Sequence, residues 1–295
     1  MTSGMTIDAL SAQMADAVEQ VGRSLVTVYG RARQPATGMM FADELVLTAD
    51  HVLEREEGLS VRSGDGARYA ASIVGRDPFV DLAVLRVAGL RLPLVRAADG
   101  ARVGQFVLAV ARPNEQGVMA SLGVVSKIAG PLRLTRGTLE RVIQTDALPY
   151  PGFSGGALID TSSGVIGLFT SGLVRGLSLA IPMDIALRLA EALVRHGRLQ
   201  RGYLGVVTQS VKLPARQRFG ERERGLLVVR VEEDSPAERG GLLVGDLILT
   251  AAGQAIQSAE DLVAQLSADR IGQPLTIEVL RGGVVQAVSV VVGTR

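Results

Sequence analysis

The pentapeptide Gly152-Phe153-Ser154-Gly155-Gly156 sets a serine among small residues, downstream of a histidine and an aspartate. A serine hydroxyl attacks a carbonyl only when an imidazole takes its proton, and the imidazole needs a carboxylate to fix its tautomer. The chain contains two histidines, His51 and His196, so the base is one of two residues. In one order, His51, Asp81 and Ser154 serve as base, orienter and nucleophile. In the other, the pentapeptide is a nucleophile elbow followed by Asp184 and His196.

The elements that must position these residues separate the two orders. An elbow requires a strand, a sharp turn and then a helix, but Ser154 is followed by Ala157-Leu158-Ile159-Asp160, Thr161-Ser162-Ser163-Gly164 and Val165-Ile166-Gly167-Leu168-Phe169, which reads as strand, turn, strand. His196 closes an apolar-periodic helical run from Asp184 to Val194 just before Gly197, where a histidine suits the negative end of a helix. By contrast, the apolar strand Leu45-Val46-Leu47-Thr48-Ala49 delivers Asp50-His51-Val52 at its end, and Asp81 opens the apolar strand Asp81 to Val87. Rigid elements therefore hold His51 and Asp81, and the first order is preferred.

The stretches Leu47-Thr48-Ala49-Asp50-His51-Val52-Leu53, Asp81-Leu82-Ala83-Val84-Leu85, Ile143-Gln144-Thr145-Asp146-Ala147 and Pro151-Gly152-Phe153-Ser154-Gly155-Gly156-Ala157-Leu158 resemble the His, Asp and Ser motifs of the HtrA/Deg serine proteases. Gly176-Leu177-Ser178-Leu179-Ala180-Ile181-Pro182 is similar to that family's substrate-binding segment, and the resemblance runs from about Ser24 to the C-terminus. It implies a mainly β chain: a chymotrypsin-like double β-barrel protease domain with a C-terminal PDZ-like α+β domain. It also implies an oxyanion hole made by the backbone N–H groups of Gly152 and Ser154. The family usually has asparagine where this chain has Phe153. The expectation is that the phenyl ring packs away and leaves the backbone free; the alternative is a closed hole and a peptide-binding chaperone or adaptor.

In that fold the sixth residue before the nucleophile lines the pocket for the residue preceding the scissile bond. Here it is Leu148, and with Pro149, Leu177, Leu179 and Ile181 it implies an apolar pocket of modest size that takes Val, Ala, Ile or Leu. Within the PDZ-like part, Leu204-Gly205-Val206 matches the loop that receives a chain-terminal carboxylate, beside a helix starting at Ser258 that carries Leu262 and Leu266. The implied partners are unfolded polypeptides and protein C-termini. The implied assembly is a homotrimer.

Composition narrows the remaining classes. The net charge is +1 with arginines dispersed among acids, so no nucleic-acid partner is expected. The chain has no cysteine, which removes disulfides and thiolate metal sites, and no metal or cofactor is expected. It also lacks a Walker-type loop, in keeping with an ATP-independent enzyme. No run reaches the length of a membrane-spanning helix, and the opening residues lack a charged leader with an apolar core, so a cytoplasmic location is expected. Ile7, Leu10, Met14, Ala17, Val18 and Val21 instead fall at helical spacing. The expected organisation is an amphipathic helix in 1–23, a protease domain over 24–182 with the seam between barrels near Arg91 to Val103, a connecting helix and linker over 183–201, and a PDZ domain over 202–295.

Overall fold

The structure is a computed structural model and describes residues 6–134, 137–213 and 224–294. It divides into two compact units, one of residues 1–132 and 139–199 and one of residues 133–138 and 200–295. The opening helix α1 (Ile7–Gly22) starts at Thr6, whose hydroxyl accepts the Ala9 N–H. Ala17 and Val21 are the buried part of its stripe and α1 packs on β7 and β8 of the second barrel defined below, whereas Ile7 at its start is exposed.

Six antiparallel strands close the first barrel: β1 (Leu25–Tyr29), β2 (Ala36–Ala42), β3 (Leu45–Thr48), β4 (Leu59–Arg62), β5 (Arg68–Asp77) and β6 (Leu82–Arg86), hydrogen-bonded in the order β1-β2-β3-β6-β5-β4. Closure leaves no sheet edge exposed and turns Val26, Val46, Val61 and Leu85 into a common core. The second barrel begins beyond the expected seam. Its strands are β7 (Phe106–Asn114) and β8 (Gly117–Ala129), then, past a separate hairpin of β9 (Leu132–Leu134) and β10 (Gly137–Leu139), β11 (Val142–Thr145), β12 (Ala157–Ile159), β13 (Val165–Thr170) and β14 (Leu179–Pro182). They close in the order β11-β14-β13-β12-β7-β8. The uninterrupted apolar runs of β12 and β13 are explained by full burial. Helix α2 (Met183–His196) follows at once, packs on β5, β6, β13 and β14, and stops at Gly197, so His196 is the helix-terminal residue the sequence suggested.

The second unit contains β15 (Gly202–Tyr203), β16 (Val206–Lys212), β17 (Arg224–Val231), α3 (Pro236–Arg239), β18 (Leu247–Ala251), β19 (Gln254–Ala255), α4 (Ala259–Ala264), β20 (Pro274–Arg281), β21 (Val284–Val291) and β22 (Gly293–Thr294). Its main sheet runs β16-β17-β18-β20-β21, which leaves β16 at an edge with α4 packed against it. Ser258 and Asp261 form a reciprocal capping box that starts α4. Leu262 from that helix joins Leu204, Leu226, Ile248, Ile277 and Val290 in the core. Inside this unit the carboxylate of Asp246, 1 % exposed, takes two hydrogen bonds from Arg281 at 2.6 and 2.7 Å and one from the Leu243 N–H at 2.8 Å. Burial alone would raise the Asp246 carboxyl, but those hydrogen bonds and the Arg281 charge outweigh it and hold it below the usual carboxylate range. Among the described residues no helix is long and apolar enough to cross a membrane.

Candidate active site

His51 lies in a short 3-10 turn, Asp50–Val52, directly after β3. Arg76 of β5 ties both ends of that turn: its Nε donates to Asp50 Oδ1 at 2.6 Å and its Nη2 to the Leu53 carbonyl at 3.1 Å. The Asp50 hydrogen bond raises the Arg76 guanidinium above its ordinary range. Asp81 stands just before β6 with φ +54, a left-handed conformation that aspartate tolerates better than most residues. Its carboxylate is buried and fully engaged. The His51 N–H donates to Oδ1 at 2.9 Å, His51 Nδ1 lies 2.9 Å from both oxygens, and the Thr170 hydroxyl donates to Oδ2. Such a carboxylate keeps the imidazole proton on Nδ1 and leaves Nε2 to act as base.

Ser154 is held on the loop between β11 and β12, and that loop's backbone hydrogen bonds fix what it can do. The Gly152 carbonyl accepts the Thr37 hydroxyl at 2.8 Å, and the Ser154 carbonyl accepts the Thr37 N–H at 3.2 Å. Phe153 N–H donates to the Tyr150 carbonyl, Gly155 N–H to the Phe169 carbonyl, and the Phe153 carbonyl accepts from Gly156 N–H. The two remaining N–H groups, those of Gly152 and Ser154, donate to no acceptor among the described residues. These are the pair expected to form an oxyanion hole. The Ser154 N–H is fixed because its own peptide's carbonyl is bonded to Gly156. The Gly152 N–H belongs to the Pro151–Gly152 peptide, the one plane of this loop that no hydrogen bond restrains among the described residues.

Phe153 leaves the backbone free. Its ring is 1 % exposed, stacks edge-on against Tyr150 and Phe169 with centroids 5.4 and 6.4 Å apart, and belongs to the second-barrel core. The asparagine-to-phenylalanine departure is thus a packing change beneath the loop.

Four residues that shape the site went unnoticed in the sequence. Thr170 orients Asp81, Gly172 abuts the His51–Asp81 pair so closely that a Cβ there would stand 2.4 Å from Asp81 Oδ2 and 2.5 Å from His51 Nδ1, and Ser171 lies between them. The available signal was a polar Thr-Ser-Gly at the end of an apolar strand. Thr37 gave no signal, because a threonine in a strand is ordinary.

The expected pocket residues divide by exposure: Leu148 is 56 % exposed, Pro149 and Leu177 also reach the surface, and Leu179 and Ile181 are buried in β14. In the second unit Leu204 is a core residue whose carbonyl accepts the Ala237 N–H at 2.7 Å, so neither its side chain nor that carbonyl is open to a ligand. Gly205 admits a close neighbour, but that neighbour is the Ser235 side chain, whose Cβ would lie 2.2 Å from a Cβ at Gly205, and not an approaching backbone. Val206 opens the edge strand β16, Leu262 is buried, and Leu266 lies just past α4 on the core.

A closed double barrel that brings a histidine–aspartate pair near a serine loop, followed by a small edge-stranded domain, defines the trypsin-like peptidase class with a second β domain appended. Family models agree: a trypsin-like peptidase domain matches residues 36–168 and a PDZ domain residues 202–292. The solved structure of the HtrA-type protease AlgW with decapeptide superposes with a TM-score of 0.77 at 32% identity, covering 96% of this chain and 98% of that one. The serine endoprotease from Yersinia pestis gives a TM-score of 0.75 at 29% identity, with 96% and 98% covered. The chain belongs to the HtrA family of serine proteases. A probable periplasmic serine endoprotease, DegP-like, from Ectopseudomonas mendocina is 39% identical over 261 residues, 86% of this chain and 55% of the relative, and a namesake from Pseudomonas putida is 38% identical over 260 residues. The chain thus spans about half the length of the curated relatives it matches.

The relatives' names overturn the expected cytoplasmic location, since they are periplasmic enzymes. The physical reason for the miss is plain. The expectation rested on opening residues without a charged leader and apolar core, but from Ile7 onward those residues form a helix docked on β7 and β8, which carries no information about compartment.

Proposed function

We propose that this chain is an ATP-independent serine endopeptidase that cleaves unfolded or damaged polypeptides after small or medium aliphatic residues. Its protease domain is assigned to 24–182 and its PDZ domain to 202–295. In this mechanism the Ser154 Oγ attacks the scissile carbonyl as its proton passes to His51 Nε2, and the developing oxyanion is met by the N–H groups of Gly152 and Ser154. His51 then protonates the leaving amine, and the same base activates water to release the acyl group. Asp81 stabilises the imidazolium throughout. Leu148, with Pro149, Leu177, Leu179 and Ile181, forms the apolar pocket.

The observation that carries this reading is the placement of His51 Nδ1 2.9 Å from both oxygens of a buried, fully bonded Asp81. The adaptor alternative required Phe153 to close the oxyanion hole, and the burial of its ring in the barrel core speaks against it. Peptide C-termini bind along the edge of β16, with backbone N–H groups at Leu204, Gly205 and Val206 receiving the carboxylate and Leu262 and Leu266 flanking it. A homotrimer is assigned as the working assembly, and the half-exposed Phe106 and Leu122 on adjacent strands provide apolar surface for it. Solution mass checks that number. A fluorophosphonate probe tests the enzyme itself: it should label the wild type and not Ser154→Ala, and equal labelling of the two would defeat the assignment.

A further inference from the structure

Ser154 Oγ is turned toward a second serine. It lies 3.1 Å from Ser171 Oγ and accepts the Ser171 N–H at 3.4 Å, while no hydrogen bond joins it to His51 among the described residues. Ser171 sits between Thr170, which donates to Asp81, and Gly172, which abuts His51 and Asp81. Three consecutive residues at the end of β13 therefore touch all three members of the triad.

Either direction of the bond between the two hydroxyls restrains the nucleophile. When Ser154 donates, its proton is committed to Ser171 and not to the imidazole. When Ser171 donates, its hydroxyl and its amide together occupy both acceptor directions of Ser154 Oγ, including the lone pair needed for attack. We propose that Ser171 is a positioning residue that holds Ser154 in a resting rotamer turned away from His51, released when a bound peptide covers Ser171 and takes over its hydroxyl. Release is a rotation of Ser154 between staggered side-chain wells, after which its O–H points at His51 Nε2 and proton transfer can accompany attack. Ser154 is 7 % exposed whereas Ser171 lies at the surface, so the restraining hydroxyl is the one that an arriving substrate meets. This proposal rests on the reading of Ser154 and His51 as nucleophile and base.

Two variants separate restraint from mere structure. Ser171→Ala removes the hydroxyl and keeps the amide. Ser171→Thr keeps the hydroxyl and adds a methyl group at an exposed position. The measurements are the second-order rate of fluorophosphonate labelling at Ser154, together with kcat and KM on a short chromogenic peptide, all normalised to titrated active sites so that any unfolded fraction drops out. Losing one net hydrogen bond predicts that Ser171→Ala labels faster and has a higher kcat by about 2–10-fold, with KM little changed and Ser171→Thr close to wild type. An unchanged or slower Ser171→Ala overturns the proposal, as does a threonine variant that behaves like alanine. Failure of every variant and the wild type to label would overturn the nucleophile assignment and this proposal together, whereas labelling that ignores Ser171 overturns the proposal alone.

Discussion

The Thr37 hydroxyl donates to the Gly152 carbonyl at 2.8 Å, and its N–H donates to the Ser154 carbonyl at 3.2 Å. A single residue of the first barrel thus fixes the peptide planes on either side of the Phe153–Ser154 bond, and with them the loop of the second barrel that carries the nucleophile. Thr37 is itself wedged in place: its carbonyl accepts the Thr48 hydroxyl at 2.7 Å and its Oγ1 accepts the Arg112 N–H at 3.1 Å.

Thr37→Val should therefore impair catalysis without touching the triad. Removing the donor leaves the Gly152 carbonyl buried without its partner, at a cost of about 1–3 kcal/mol, and lets the oxyanion donors drift. The expected outcome is a kcat lower by roughly 10–100-fold with KM little changed, and Thr37→Ser close to wild type. Steady-state kinetics on a short peptide check this, and a valine variant with wild-type kcat would remove Thr37 from the account.

Substrate choice gives the second prediction. Leu148 offers no charge to a cationic side chain, and burying an arginine without a partner costs several kcal/mol, so peptides with Val or Ala before the scissile bond should be cut far faster than those with Arg. Leu148→Asp should move the preference toward Arg. Cleavage-site mapping on a denatured protein measures both, and wild-type cleavage after Arg or Lys would reject the pocket.

The PDZ unit should lose stability in acid through Asp246. Its carboxyl is held below the ordinary range in the folded state, so its contribution is complete above the unfolded value of about 3.9 and is lost as pH falls through the lower folded value. Asp246→Asn should destabilise the unit at neutral pH by about 2–3 kcal/mol, less than a fully buried pair because the Arg281 side chain is 30% exposed. Its melting temperature should also depend less on pH between 5 and about 3. Melting curves across that range decide the point, and parallel wild-type and variant profiles would count against it.

Much of this site was legible because its chemistry is local in sequence. His51 and Asp81 stand beside the ends of apolar strands, and the strand–turn–strand pattern after Ser154 excluded an elbow. His196 was readable as a helix end from its neighbour Gly197. What escaped was set by tertiary contact. Nothing near Thr37 reveals that it meets Gly152, 115 positions away, and Ser171 and Gly172 acquire their roles only when β13 ends beside His51. The segment Leu204-Gly205-Val206 was half read: its three residues were picked out, but the Ser235 side chain packed against Gly205 comes from a different segment.

The central claim is that His51 and Ser154 act as one catalytic unit oriented by Asp81, and its most direct test is a double-mutant comparison on casein. Ser154→Ala and His51→Ala should each lower kcat by at least about 10³-fold, and the combined variant should be scarcely slower than either one alone, because removing one member already disables the set. Losses that multiply in the double variant, or a His51→Ala enzyme that retains wild-type turnover, would contradict it.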